Sequence, residues 1–363
     1  MTALLAPDPA LPRRDELLAP SAPDVEVVRC KYRVGESLRV LYRAEGRLLT
    51  VRVQAGGHPR WWAFPDDRRL AGVAAVMAPT DALRAVAGGR PWITSEVAEY
   101  APERSLTVRA LDPCGRPCAY VKLYAPGSQD VAALGRRYGA VAGALDAPAP
   151  LGWADDLLAL DVAPGQRWAD VPDASPVVGR LGAAIARLHG VTPPPGTHPY
   201  SRLGPDRLTT AVAAIGAARP DVEAPLATLH RRLEAARPDV ADPVLLHGDC
   251  HPKNALDDGD RLWLVDLDQA GTGPAAADVG SFLARLRVET IIGRQPRVVE
   301  RELAGAFLAG YAAHRRPPSC ASLAWHTAAA LLAEQAVRAV NRVRPAVLTR
   351  LADVVAAASE AAP

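Results

Sequence analysis

From Val25 to Val53 apolar and polar side chains alternate, which predicts three short strands, Val25–Tyr32, Ser37–Tyr42 and Leu48–Val53. Gly35 and Ala44-Glu45-Gly46 supply the turns between them. The pattern then returns. With Tyr32 placed on Tyr100, the run Cys30–Val40 lines up with Val97–Arg109, and each copy continues into a second strand, Leu48–Val53 or Ala119–Leu123. Residues 24–95 therefore read as a β-rich module, a degenerate repeat of the hairpin that follows. Trp61–Leu70 reads as a turn-rich connection and Asp81–Val86 as a short helix. Residues 1–23, rich in Pro and Ala and without periodicity, read as a loose tail.

Past Val97 the pattern gives a hairpin, Ser105–Leu111 with Ala119–Tyr124, a helix over Gln129–Leu145, and a second hairpin over Trp153–Val162. Pro164-Gly165 ends that block. A 3.6-residue period then takes over in Pro176–His189, Arg207–Ala218, Val222–Ala236, Val279–Leu286, Val298–Ala313, Ser322–Ala339 and Pro345–Ala358. One β interruption breaks the series: Leu245–Leu246, then Ala255–Leu256 paired with Leu262–Leu267 across Asp257–Asp260. The expected class is α+β, with a β-rich lobe at 96–163 and a mostly helical lobe at 164–363. Their hinge falls near Ala163–Gly165, and the junction of two lobes is a common place for a ligand cleft.

Composition narrows the function. Lys+Arg 42 against Asp+Glu 40 leaves a charge of +2, no field for nucleic acid or an acidic membrane surface. Five scattered cysteines make no disulfide framework and fit a reducing compartment. Met1–Pro23 lacks a signal-peptide pattern, and the uncharged stretch Pro317–Ala333 is too short and polar to span a bilayer, so a cytoplasmic protein is expected. Lysine occurs at only Lys31, Lys122 and Lys253, while arginine supplies the other basic residues; asparagine occurs at only Asn254 and Asn341. Where Arg has displaced Lys so widely, a retained Lys points to a place that needs a compact ammonium.

That filter selects Lys122 and the segment His247-Gly248-Asp249-Cys250-His251-Pro252-Lys253-Asn254. Asp266 and Asp268 follow on an apolar strand. Asp249, Asn254 and Asp266 offer hard oxygen donors suited to Mg²⁺. Phosphoryl transfer needs a carboxylate for the attacking hydroxyl, an amide oxygen and a second carboxylate for the metal, and a lysine for the nucleotide phosphates. A strand Lys, then D-x-x-x-x-N, then a strand Asp is the order in kinases. Plainer readings exist for each residue. Asp249, Asn254 and Asp266 could be a cap and two turn acids, and Lys122 a strand lysine reaching for solvent. His247, Asp249 and His251 could form the metal centre of a hydrolase. Gly271–Ala276 imitates a dinucleotide fingerprint but lacks the following βαβ unit. No lysine follows a glycine, which excludes a Walker A loop. His189 reads as a core histidine.

The motif H-G-D-x-x-x-x-N from His247 to Asn254, followed by Val265-Asp266-Leu267-Asp268, Gly271-x-Gly273-Pro274 and Asp278-Val279, resembles the aminoglycoside phosphotransferase and choline kinase family. The resemblance runs from about Val97 to the C-terminus. It implies a two-lobed protein-kinase-like fold and transfer of the γ-phosphate of ATP or GTP, with Mg²⁺, to a small-molecule hydroxyl. It implies Asp249 as catalytic base, Asn254 and Asp266 as metal ligands, and Lys122 on the phosphates. Ala101–Ser105, with Ser105, would cover the phosphates, Asp161–Ala163 would meet adenine, and Asp278 would anchor the catalytic loop. Two departures stand out. Helix 129–145 carries no Glu to hold Lys122, its one acid being Asp130, and the turn 101–105 has no Gly. Both favour a rival expectation, a nucleotide-binding pseudokinase. The segment 281–363 carries 11 Arg against 6 Asp+Glu, which leans away from a polycationic acceptor. A sugar, an aminocyclitol or an amino alcohol remain in view as acceptors.

Overall fold

The alternating stretch near the start builds an antiparallel meander in the order β1 (Val25–Arg33), β2 (Ser37–Ala44), β3 (Arg47–Gln54) and β4 (Arg60–Ala63). The computed structural model describes residues 4–20, 22–167, 174–240 and 242–363. β4 occupies part of the expected turn-rich connection, where Trp61 and Trp62 pair with Val51 and Thr50. Four residues among Gly and Pro are too few for an alternation to register.

The loose-tail expectation is corrected for residues 4–20 (Met1–Ala3 and Ser21 lie outside the described residues). Leu5, Leu11 and Leu17 are buried with the first sheet, and α1 (Arg14–Leu18) forms a single turn over it. The three leucines are spaced by neither two nor three to four residues, so no period betrayed them. The Tyr32 hydroxyl donates to Asp8 Oδ2 at 2.7 Å, Gly35 N–H donates to the same oxygen at 2.9 Å, and the Tyr42 hydroxyl donates to Leu17 O at 2.6 Å.

After α2 (Val73–Met77) and α3 (Asp81–Val86) comes a five-stranded sheet. It comprises β5 (Thr94–Ala101), β6 (Ser105–Leu111), β7 (Pro117–Tyr124), β8 (Pro150–Ala154) and β9 (Leu157–Leu160), in the order β5-β6-β7-β9-β8, with α4 (Val131–Ala142) between β7 and β8. The two hairpins match in detail. Tyr100 donates to Asp67 Oδ2 at 2.7 Å and Glu103 N–H to the same oxygen at 2.6 Å, as Tyr32 and Gly35 do with Asp8. Each Asp also opens a local turn, accepting from Ala10 N–H in the first copy and Arg69 N–H in the second. Both lead strands are bulged ahead of the tyrosine, at Val27/Arg29 in the first copy and two positions nearer the tyrosine, at Val97/Glu99, in the second.

The helical part starts with β10 (Gln166–Arg167), α5 (Ala174–Leu188), α6 (Pro205–Ala218) and α7 (Glu223–Ala235). Four short strands follow, β11 (Val244–Leu246), β12 (Ala255–Asp257), β13 (Leu262–Leu264) and β14 (Gly271–Gly273). β11 pairs with β14, while β10, β12 and β13 form a second small sheet. Then come α8 (Ala276–Ile291), α9 (Arg297–Ala312), α10 (Cys320–Ala330), α11 (Val337–Arg342), α12 (Pro345–Leu348) and α13 (Leu351–Ala361). Phe282 and Phe307 stack at 4.2 Å in the core. Gly182 and Gly310 let α5 and α9 touch backbone to backbone, where a Cβ on Gly182 would strike Phe307 O.

Between α10 and α11 the helix widens into a π-turn over Leu331–Ala336, which buries Glu334 and Gln335. The first sheet does not stand off as a separate cap. Tyr32, Leu38 and Val40 share one core with Leu208, Ala336 and Val340 of the helical part. Among the described residues, no helix is long and apolar enough to cross a membrane.

Candidate active site

β11 carries the chain into His247–Asp249, and the loop is set by one buried carboxylate. Asp278, at the start of α8, accepts from His247 N–H at 2.7 Å and Gly248 N–H at 2.9 Å. His189 Nε2 lies 3.2 Å from Asp278 Oδ2, and its Nδ1 is 2.8 Å from the Tyr311 hydroxyl. Burial alone would push the Asp278 carboxyl up, but His189 and the backbone N–H groups hold it below the usual range. Gly248 has φ 74°, and a Cβ there would collide with Gln269 O. His247 Nε2 sits 3.0 Å from Val265 O. The buried Asn254 donates from Nδ2 to Asp249 O at 3.1 Å, and Val265 N–H donates to Asn254 O at 2.9 Å. These bonds fasten the 249–254 loop to the strand that delivers Asp266.

Lys122 reaches across from β7. Its Nζ lies 2.6 Å from Asp266 Oδ1 and 2.5 Å from Asp268 Oδ1, and the Tyr124 hydroxyl donates to Asp268 Oδ2 at 2.9 Å. Burial pulls the Lys122 ammonium down, yet Asp268, Tyr138 and Asp266 raise it well above the ordinary value. Burial also keeps the Asp268 carboxyl raised, whereas Lys122 holds Asp266 below the usual range. Asp266 adopts φ 63°, an uncommon left-handed conformation for a non-glycine residue, which turns the chain so that both carboxylates meet one amine. Asp130 acts elsewhere, capping α4 by accepting from Ala133 N–H at 2.8 Å. From α4 comes Tyr138, whose hydroxyl accepts from Leu267 N–H at 2.9 Å. Lys122 is thus met by two acids, Asp266 and Asp268, the second visible in the sequence two positions after Asp266 but given no role there.

Two arginines and a histidine surround Asp249. Arg202, in the loop before α6, lies 3.0 Å from Oδ1; Arg338, on α11, lies 3.4 Å from the same oxygen; His251 Nε2 lies 3.7 Å from Oδ2. Burial would raise this carboxyl, but Arg202 and Arg338, helped by His251 and Arg285, hold it well below the usual carboxylate range. Burial and the Arg285 charge in turn push His251 down to about 3. Neither arginine belongs to a motif. The basic excess of residues 281–363 hinted at Arg338, and nothing hinted at Arg202.

The turn Ala101–Ser105 has its own solution to lacking glycine. Glu103 takes the left-handed conformation, φ 60°, and its carboxylate lies 2.9 Å from both Arg39 and Arg52 of the first sheet. Arg39 also donates to Pro102 O. At the hinge, Asp161 N–H donates to Ala149 O at 2.8 Å, and its carboxylate meets Arg90 at 3.0 Å. A cavity of about 890 Å³ gathers Ser105, Lys122, Asp161, Ala163, Asp249, Asn254 and Asp266 on its walls. The hydrolase centre expected as an alternative does not assemble, because His247 turns to Val265 O. Among the described residues no three His, Cys, Asp or Glu side chains converge as a metal cluster. Gly271–Gly273 is a strand paired with β11, with no dinucleotide turn.

A model of the phosphotransferase enzyme family (APH) matches residues 104–319. Among solved structures, an amicoumacin kinase in complex with AMP-PNP, Ca²⁺ and Ami is 15% identical, with a TM-score of 0.56 over 82% of this chain and 95% of that one. A spectinomycin phosphotransferase in complex with ADP and spectinomycin is 15% identical, with a TM-score of 0.52 over 75% and 94%. A choline/ethanolamine kinase family protein from Mesorhizobium loti is 17% identical, with a TM-score of 0.51 over 80% and 94%. No curated protein matches the chain by sequence. At these identities the structural matches speak for the fold, which is two-lobed and protein-kinase-like, α+β as expected.

Proposed function

Because the chain belongs to the phosphotransferase enzyme family, we propose that it transfers the γ-phosphoryl group of ATP, with Mg²⁺, to a hydroxyl of a small molecule. The observation that carries this reading is convergence: Lys122, Asp249, Asn254 and Asp266, far apart in sequence, line one cavity. The nucleotides held by the amicoumacin kinase and the spectinomycin phosphotransferase support the donor, and the Ca²⁺ of the former supports a divalent cation.

The residues present fit a magnesium ion. The Asn254 amide commits its Nδ2 to Asp249 O and leaves its oxygen for a metal, while Asp266, whose Oδ1 lies 2.6 Å from Lys122, keeps Oδ2; both line the cavity and are hard oxygen ligands of the kind Mg²⁺ takes alongside phosphate oxygens. When bound, the ion would neutralise charge developing on the phosphates. Asp249 orients the acceptor hydroxyl and takes its proton as the new O–P bond forms and ADP leaves. Lys122, steered by Asp268, holds the donor phosphates. The turn Ala101–Ser105 covers them, and Asp161–Ala163 faces the base. In this reading residues 96–163 bind nucleotide, 164–363 carry catalysis and the acceptor, and 24–95 extend the first lobe. The two features that favour a pseudokinase lose weight, since Asp268 stands in for the missing Glu and Glu103 for the missing Gly.

The test is ADP release over a panel of sugars, aminocyclitols and amino alcohols. Asp249→Ala should cut turnover by roughly 10²–10⁴-fold, the usual range for losing a general base, and leave urea unfolding cooperative. Full activity in that variant would remove Asp249 from the role, and nucleotide binding without transfer to any hydroxyl compound would favour the pseudokinase.

A further inference from the structure

Resting on the phosphotransferase reading above, we propose that the acceptor carries an oxyanion, a carboxylate or phosphate beside its hydroxyl, bound between the first sheet and α11. The cavity wall holds twelve Lys and Arg side chains against six Asp and Glu. The distribution matters more than the total. Lys31 on β1, Arg104 in the turn 101–105 and Arg342 at the end of α11 all line the cavity, and among the described residues none has a carboxylate partner. Like charges crowd them: burial, then Arg104, Arg33, Arg39 and Arg29, push the Lys31 ammonium down to about 8. Burial and the charges of Arg29 and Arg338, offset only in part by Glu99 and Asp249, push Arg342 down to about 10. Uncompensated cations sharing a half-enclosed space are costly unless something negative joins them.

The carboxylates on that side are already committed. Glu99 lies 2.7 Å from Arg29. Glu334, in the π-turn, accepts from the Tyr200 hydroxyl at 2.7 Å and the Ser281 hydroxyl at 2.5 Å. Asp249 is held by Arg202 and Arg338. A polycationic acceptor would therefore find no free counter-charge on its way to Asp249, whereas an oxyanion would meet guanidinium groups shaped to bind it in pairs. Bound nucleotide phosphates under the turn 101–105 would answer Arg104 but not the cations of α11: Arg338 and Arg342 both feel the Asp249 charge, while Lys122 is paired with Asp266 and Asp268. The first sheet then contributes directly to recognition, because Arg29, Lys31 and Arg33 on β1 line the same cavity as Asp249 and Arg338.

The experiment is calorimetry on the full chain saturated with Mg-AMP-PNP, titrated in turn with inorganic phosphate, gluconate, glucosamine and kanamycin. Saturable binding of phosphate or gluconate is expected, and which of them binds separates the two oxyanion sources. Lys31→Ala with Arg342→Ala should weaken that binding at least tenfold and leave AMP-PNP affinity within twofold. Binding of kanamycin or glucosamine in place of both anions, absence of binding by either anion, or anion binding indifferent to the two substitutions would each overturn the proposal. Failure of AMP-PNP itself to bind would instead strike the phosphotransferase reading, so the two failures are distinguishable.

Discussion

Replacing Asp268 by Asn isolates the contact that compensates for an α4 helix without glutamate. In the native site the Lys122 ammonium has carboxylate oxygens at 2.5 and 2.6 Å, and Asp268 is itself fixed by Tyr124 at 2.9 Å. The amide keeps the shape and can still accept from Lys122 or Tyr124, so what is lost is one charge. A hydrogen bond to a charged partner contributes about 1.5–3 kcal/mol and a neutral one about 0.5–1.5 kcal/mol, so the net loss is about 1–2 kcal/mol. At about 1.4 kcal/mol per tenfold, affinity for Mg-ATP should fall by about 5- to 30-fold. Calorimetry with ATP measures this without knowledge of the acceptor, and urea unfolding on the same samples separates misplacement of Lys122 from general loosening. Removing a buried negative charge also relieves the repulsion between Asp266 and Asp268, so stability should change less than affinity. ATP affinity within twofold of the native protein would refute Asp268 as the residue that positions Lys122.

Two further outcomes follow from other parts of the site. Arg338→Ala removes one of the charges that hold Asp249 low; the folded-state pKa then rises, and the acid limb of turnover should move to higher pH. An unmoved limb would show that Arg338 does not tune this carboxylate. Arg52→Ala cuts one of the two guanidinium groups on Glu103 and loosens the turn 101–105, proposed to cover the phosphates. It should raise the KM for ATP about 3- to 10-fold, for a loss near 1 kcal/mol in a partly exposed pair, and an unchanged KM would detach the first sheet from nucleotide binding.

Local pattern determined much of this protein. Alternation from Val25 and from Val97 set both hairpins and even their Tyr32-to-Tyr100 register, because a strand's buried face is written at every second residue. The spacing from His247 to Asn254 and on to Asp266 singled out a loop whose geometry is local, so its residues could be named beforehand. Tertiary structure decided the rest. Leu5, Leu11 and Leu17 are buried by a sheet they do not belong to, so a stretch without period is packed. Lys122 is paired with Asp266 and Asp268 across the cleft and not with an acid on α4, and Glu103 holds a left-handed turn where Arg39 and Arg52 arrive from another sheet. The arginines around Asp249 come from the loop before α6, α8 and α11. Charge acts through space over several ångströms, and a sequence records only separation along the chain.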